Sequence, residues 1–204
     1  MKLSRPLPWV LATAVLSALA GGLMARMLAQ KTVALQGGTW LPQPRALAPF
    51  TLTDVNGRPY GNAALNGHPS LLFFGYTYCP DVCPNTLAML REVQRRLPLP
   101  GLQVLFISVD PERDTPAVLK AYLGSFDADF IGLHAEHDAL TALLHDLAAE
   151  ATREPTAGAS YRLAHSATLY LLDTRGRMVA VYSPPVTAAV LTADLRSLAR
   201  ASLL

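Results

Sequence analysis

Leu71-Leu72-Phe73-Phe74 is a continuous apolar run with no polar residue to turn toward water, the pattern of a strand buried on both faces. Such a strand needs cover above and below, so the sheet that holds it must lie between layers of helix. Periodic segments elsewhere in the chain supply the partners. Phe50, Leu52 and Tyr60 flank Asn56-Gly57, a turn dipeptide that predicts an opening hairpin. Thr86, Met89, Leu90, Val93 and Leu97 make one stripe of a helix expected to begin near Pro84. Val104 to Val109 form a second buried-type strand. Thr115-Pro116 then opens another helix, with the threonine as N-cap.

Phe130 to Leu133 have the length of a short strand. Leu140, Leu143, Leu144 and Leu147 mark a helix capped near Asp138. Residues 152 to 164 are polar and read as a loop. Thr168–Leu172 and Met178–Tyr182 are strands joined by the turn DTRGR, and Leu191, Leu195 and Leu198 give a last helix. The resulting order is hairpin, β, α, β, α, short β, α, β, β, α. It predicts an α/β, thioredoxin-like three-layer fold with an N-terminal β-hairpin and an active loop between the central strand and the next helix.

Composition narrows the class. Of the 204 residues, 51% are hydrophobic and 16% charged, which excludes global disorder. Seventeen basic against 15 acidic residues leave a net charge of +2, too little for nucleic-acid binding by charge alone. Residues 6–25 carry no charge, and about 20 residues at 1.5 Å each match the roughly 30 Å hydrocarbon layer. Lys2 and Arg5 precede this stretch, Arg26 and Lys31 follow it, and Trp9 suits an interfacial anchor. A single-pass anchor in the inner (cytoplasmic) membrane is therefore expected, with the domain facing the periplasm. The competing reading is a cleaved signal peptide, because Ala18-Leu19-Ala20 fits the small-residue cleavage pattern. The expected division is residues 1–30 as cytoplasmic tip and anchor, 31–47 as a Gly- and Pro-containing linker, and 48–204 as the folded domain.

The only two cysteines, Cys79 and Cys83, stand in Tyr76-Thr77-Tyr78-Cys79-Pro80-Asp81-Val82-Cys83-Pro84, directly after the apolar strand. Unpaired N–H groups and the positive dipole end at a helix start favour thiolate there. Positions four apart in a helical turn bring their Cβ atoms within about 5–6 Å, close enough for both sulfurs to reach one metal. Three chemistries fit: a structural disulfide, a redox dithiol and a soft-metal site. The disulfide would close a loop too small to constrain the unfolded chain much. Redox dithiols usually have two intervening residues rather than three. Two thiolates select Cu(I), but a metal site wants a third ligand from elsewhere.

Five histidines are available for that role. His68 lies in a polar turn and reads as solvated. His134 and His137 straddle a strand end and a helix start, as surface residues do. His145 falls off its helix's leucine stripe. His165 differs, since it ends the polar loop just before the strand Thr168–Leu172, a junction that faces the cysteine loop in a thioredoxin-like layout.

The blocks FFGYTYCPDVCPNTL (73–87), SVDPERDTP (108–116) and AHSATLYLLD (164–173) resemble the signature blocks of the Sco/SenC copper metallochaperones. The resemblance runs from about Phe50 to Leu198. It implies a thioredoxin-like fold, one copper ion, Cu(I) or Cu(II), bound by Cys79, Cys83 and His165, and delivery to the binuclear copper site in subunit II of cytochrome c oxidase. Some members of that family also act as thiol–disulfide reductants or redox sensors, a role in which Cys79 and Cys83 would be the catalytic pair. Many relatives carry an aspartate immediately before the histidine where this chain has Ala164, so a partner that orients the imidazole is missing from that position. Asp81, Asp110 and Arg113 are placed to shape the site or meet a partner, and Tyr76 and Tyr78 to shield the metal.

Overall fold

A computed structural model describes residues 7–28, 33–155 and 161–204, with side chains from 12 to 22 in the first of these segments. Helix α1, Leu7–Leu28, belongs to one compact unit, and the residues from Val33 onward form another. Along α1 the described apolar side chains are exposed, among them Val15, Leu16 and Leu19. Among the described residues, no helix is long and apolar enough to cross a membrane. Lys2, Arg5 and Lys31, and the side chains of Trp9 and Arg26, lie outside the described residues.

The second unit is built on a mixed sheet. In chain order its strands are β1 Thr39–Ala46, β2 Thr51–Asp54, β3 Pro59–Gly61, β4 Ser70–Gly75, β5 Gln103–Ser108 and β6 Ile131–His134. After the separate strands β7 Ala151–Pro155 and β8 Tyr161–His165 come β9 Leu169–Leu172 and β10 Arg177–Tyr182. The spatial order is β1-β10-β9-β4-β5-β6-β2-β3, while among the described residues β7 and β8 pair only with each other. The helices are α2 Val82–Arg96, α3 Pro116–Gly124, α4 His137–Asp146 and α5 Ala188–Arg200, with α2 packed along α5.

All six residues of β4 are buried, and successive side chains on a strand point to opposite faces, so both faces are covered as the apolar run requires. The opening hairpin forms at Asn56-Gly57, where Gly57 takes φ +79° and Asp54 Oδ1 accepts from the N–H groups of Asn56 and Arg58. Thr115 caps α3 as expected, accepting from Val118 N at 3.4 Å. On α4 the N-cap position is Glu136, so Asp138 sits inside the first turn, where its charge faces the dipole without capping.

Two segments differ from the sequence reading. Residues 39–46, expected within a tether, form an edge strand antiparallel to β10, with a register shift between Trp40 and Arg45. Pro42 and Pro44 lie inside that irregularity at the sheet edge, where missing N–H donors cost no ladder bond. Side chains fasten the same segment: Asp194 accepts from Gln36 N at 2.7 Å and Gly37 N at 3.1 Å, and Arg45 pairs with Asp146 at 2.8 Å. The polar region 152–164 is not a plain loop either. Its ends form the antiparallel pair β7–β8, in register from Ala151↔His165 to Pro155↔Tyr161.

The register explains which loops meet. β4 and β5 run parallel and finish together at Gly75↔Ser108. β9 runs antiparallel to β4, with Phe73 opposite Leu169, so β9 begins at the end where β4 finishes. The cysteine turn after β4, the Asp110–Asp114 turn after β5 and the segment leading into β9 therefore share one end of the sheet. Carboxyl ends of strands are the usual place for a site in sheets of this kind.

Candidate metal centre

β4 ends at Gly75, and the chain turns through Tyr76–Pro80 before α2 starts at Val82. Cys79 N donates to Tyr76 O at 3.2 Å, which tightens that turn. α2 thus starts two residues before Pro84, and Cys83 is its second residue. Pro84 is tolerated because the first-turn N–H groups have no intrahelical acceptor in any case. Asp81 occupies the N-cap position, but its carboxylate accepts from Asn85 Nδ2 at 2.6 Å and does not cap the backbone. The free helix N–H of Cys83 instead points at the other cysteine, donating to Cys79 Sγ at 3.4 Å.

Both cysteines are free and buried, Cys83 completely and Cys79 with 9% of its surface exposed. His165, the last residue of β8, brings Nε2 to 3.3 Å from Cys83 Sγ. The ligand atoms of Cys79, Cys83 and His165 all lie within 4.8 Å of one another, and this trio is the metal-capable cluster found among the described residues. Nδ1 of His165 is 3.2 Å from Ser166 O. In the tautomer with the proton on Nδ1, it donates to that carbonyl, and the Nε2 lone pair faces the sulfurs. The backbone thus does the orienting that the absent aspartate would do. Ala164 is exposed on the opposite face of β8, as strand alternation requires of the residue before an inward-facing histidine.

The environment is apolar and aromatic. The imidazole meets Tyr76 edge to face, with centroids 5.6 Å apart, and Phe73 at 6.1 Å. Burial pushes the His165 imidazole below its ordinary pKa, which keeps it neutral and able to ligate. Burial pushes the Cys83 thiol strongly up, against the expectation that the helix N-terminus would favour thiolate. Desolvation is the largest cause and outweighs the backbone N–H of Tyr76, which favours the anion, while the neighbouring Cys79 and Asp114 push the thiol up further. In the metal-free protein Cys83 is a thiol whose proton must leave when a cation arrives.

A polar layer surrounds this pocket. Asp114, fully buried, accepts from Thr77 Oγ1 at 2.6 Å, from Thr77 N and from Ser108 Oγ at 2.7 Å, so it ties the cysteine turn to the end of β5. Burial raises its pKa although those donors pull it down. Asp110, also buried, pairs with Arg113 and accepts from Tyr161 OH at 2.7 Å. The Arg113 guanidinium stacks 3.7 Å over the Tyr161 ring and reaches Tyr78 at 4.9 Å. Burial and the adjacent Asp110 carboxylate raise the Tyr161 phenol to about 12, so it stays a donor.

Of the residues singled out from sequence, Cys79, Cys83 and His165 come together. Asp110 and Arg113 are structural partners in the next turn, and Tyr76 packs on the imidazole. Tyr78 is 62% exposed, with the Arg113 guanidinium over its ring. His134 ends β6 and His137 opens α4, while His145 is exposed; His68 is half-buried rather than solvated, with Nδ1 buried and unpaired among the described residues. Asp114 and Tyr161 escaped the sequence reading. Tyr161, Leu163 and His165 alternate inward along β8, a period-2 signal that the polar residues around them obscure.

The family described as SCO1/SenC matches residues 41–200. Protein SCO2 of Saccharomyces cerevisiae mitochondria is 38% identical over 136 residues, which cover 64% of this chain and 45% of the yeast protein. The structure of Bradyrhizobium japonicum ScoI with copper bound superposes with a TM-score of 0.68 at 40% identity, covering 74% of this chain and 98% of that one. BsSco, a member of the Sco family of cytochrome c oxidase assembly proteins, shares the fold with a TM-score of 0.63 at 20% identity, over 79% of this chain and 98% of that one. The chain belongs to the SCO1/SenC family.

Proposed function

We propose that this chain is a copper carrier for cytochrome c oxidase assembly, taking up one copper ion between Cys79, Cys83 and His165 and delivering it to the binuclear site of subunit II. The observation that carries this reading is the convergence of two thiols and one imidazole within 4.8 Å at one end of the sheet. Two thiolates and one nitrogen are soft enough for Cu(I), and the nitrogen also makes Cu(II) tolerable. Three protein ligands leave one side open to a ligand from the recipient, so the ion can change hands without ever being bare. A closed four-ligand zinc-type site would retain its metal. Ligation of Cu(I) by the Cys83 sulfur as thiolate displaces the proton that burial holds there, and handover returns a proton to that sulfur.

The copper-bound ScoI relative and the oxidase-assembly role of the Sco family support the reading. The uncharged stretch 6–25, along which Val15, Leu16 and Leu19 are exposed, supports a single-pass anchor that holds the domain on the periplasmic side of the inner membrane. A second reading, a thiol–disulfide reductant of the recipient's cysteines, is favoured by the two free thiols standing side by side. It uses Cys79 and Cys83 and leaves His165 idle.

Reduced full-length protein is expected to take up about one Cu(I) per chain, and Cys79→Ser or Cys83→Ser to abolish uptake. Anaerobic mixing of the copper-loaded chain with an apo subunit II fragment tests delivery. Appearance of the purple binuclear spectrum supports the carrier, and disulfide exchange without metal transfer supports the reductant. Normal copper uptake after loss of either cysteine overturns the site.

A further inference from the structure

His165 does not ride on the main sheet. It ends β8, whose only ladder partner among the described residues is β7, so its distance from the thiols depends on what holds this hairpin down. Along the inward face of β8, Leu163 N donates weakly to Tyr76 OH at 3.4 Å, and Tyr161 carries the stronger attachment. Its hydroxyl donates to the buried Asp110 carboxylate at 2.7 Å, and its carbonyl accepts from Arg113 Nη1 at 3.1 Å. Its ring is held between two guanidiniums, Arg113 at 3.7 Å and Arg153 at 4.0 Å. Arg153 is in turn paired with Glu112 at 2.7 Å. The acceptors Asp110 and Glu112 belong to the turn after β5, a rigid exit from the sheet core.

We propose that Tyr161 is a positioning residue for metal binding, latching the β7–β8 hairpin to the Asp110–Arg113 turn and thereby holding His165 against the thiol pair. Strand geometry makes the coupling direct. Tyr161 and His165 lie on the same face of one short strand, about 14 Å apart at roughly 3.4 Å per residue, so release at one end frees the other. Cys83 is held by α2 and Cys79 by its turn bond to Tyr76 O, so neither depends on the Tyr161 hydroxyl. The inference rests on the copper reading for its function, and it assigns the hydroxyl of Tyr161 control over the imidazole ligand alone.

Tyr161→Phe removes the hydroxyl and keeps the stacked ring. In the full-length protein, Cu(I) uptake through the thiols stays at about one per chain. Cu(II) release speeds up roughly tenfold, the worth of one hydrogen bond to a charged group. In a His165→Ala background the same substitution changes Cu(II) release no further, because the ligand it positions is gone. An equal acceleration in both backgrounds means that Tyr161 acts only on general stability and overturns the proposal. The ring proton resonances of His165 in the reduced, metal-free protein provide a readout that needs no copper. They lie beside the Tyr76 and Phe73 rings and are expected to shift in Tyr161→Phe; unmoved resonances overturn the latch. If the parent chain takes up no copper, the carrier reading falls, while the resonance shift still decides the latch.

Discussion

Cys83 Sγ and His165 Nε2 lie 3.3 Å apart although 82 positions separate them in the chain. The antiparallel pairing of β9 with β4 makes this contact, because it starts β9 beside the exit of β4 and so carries the preceding β8 to the cysteine turn. The site is accordingly sensitive to residues that set the height of α2 above the sheet.

Gly75 is the closest of these. A Cβ on it would stand 2.9 Å from Cys83 Sγ and 2.7 Å from the Phe106 ring. Gly75→Ala is expected to destabilise the fold by about 1–3 kcal/mol through overpacking and to displace the sulfur. Denaturant titration and Cu(I) competition assays should both move; a shift in stability with unchanged copper affinity contradicts the second half.

Asp114 gives a pH signature. In the unfolded chain it titrates near 3.8, and burial raises its pKa in the folded protein. Between those values the native state holds the extra proton, so unfolding free energy falls as pH rises through that window and levels off above it. Asp114→Asn is expected to remove this component. Urea unfolding at several pH values from about 4 upward checks it, and an identical pH slope in the variant refutes it.

Asp194 is buried under two backbone N–H donors from Gln36 and Gly37, on the side of α5. Asp194→Ala is expected to cost about 1–3 kcal/mol by leaving those donors without their acceptor. Copper stoichiometry should not change. Thermal unfolding and metal titration of the same sample separate the two effects.

Thr115→Ala removes the side-chain acceptor for Val118 N at the start of α3. The expected loss is about 1 kcal/mol, typical of an N-cap, read as a lower denaturation midpoint at unchanged m-value. A neutral result would mean that Pro116 alone fixes the helix start.

Much of this architecture was legible without coordinates. The apolar run Leu71–Phe74, the Asn56-Gly57 turn, the Thr115-Pro116 cap and the leucine stripes of α2, α4 and α5 are local signals, written in propensity and period. Local signals failed at two places. The prolines of β1 argued for a tether because nothing local says that this stretch is a sheet edge. Residues 152–164 read as a loop because β7 and β8 pair only with each other and bury one modest face.

Sequence alone determined the strand and helix succession apart from β1, β7 and β8, the three chemistries open to Cys79 and Cys83, and the resemblance that pointed to His165. Those follow from residue type and from spacings of a few positions. Tertiary structure decided that the imidazole reaches the sulfurs, that Ser166 O rather than a neighbouring side chain orients it, and that burial keeps Cys83 protonated. It also decided that Tyr161 fastens the hairpin. Each depends on sheet register and desolvation, which arise only when distant segments pack.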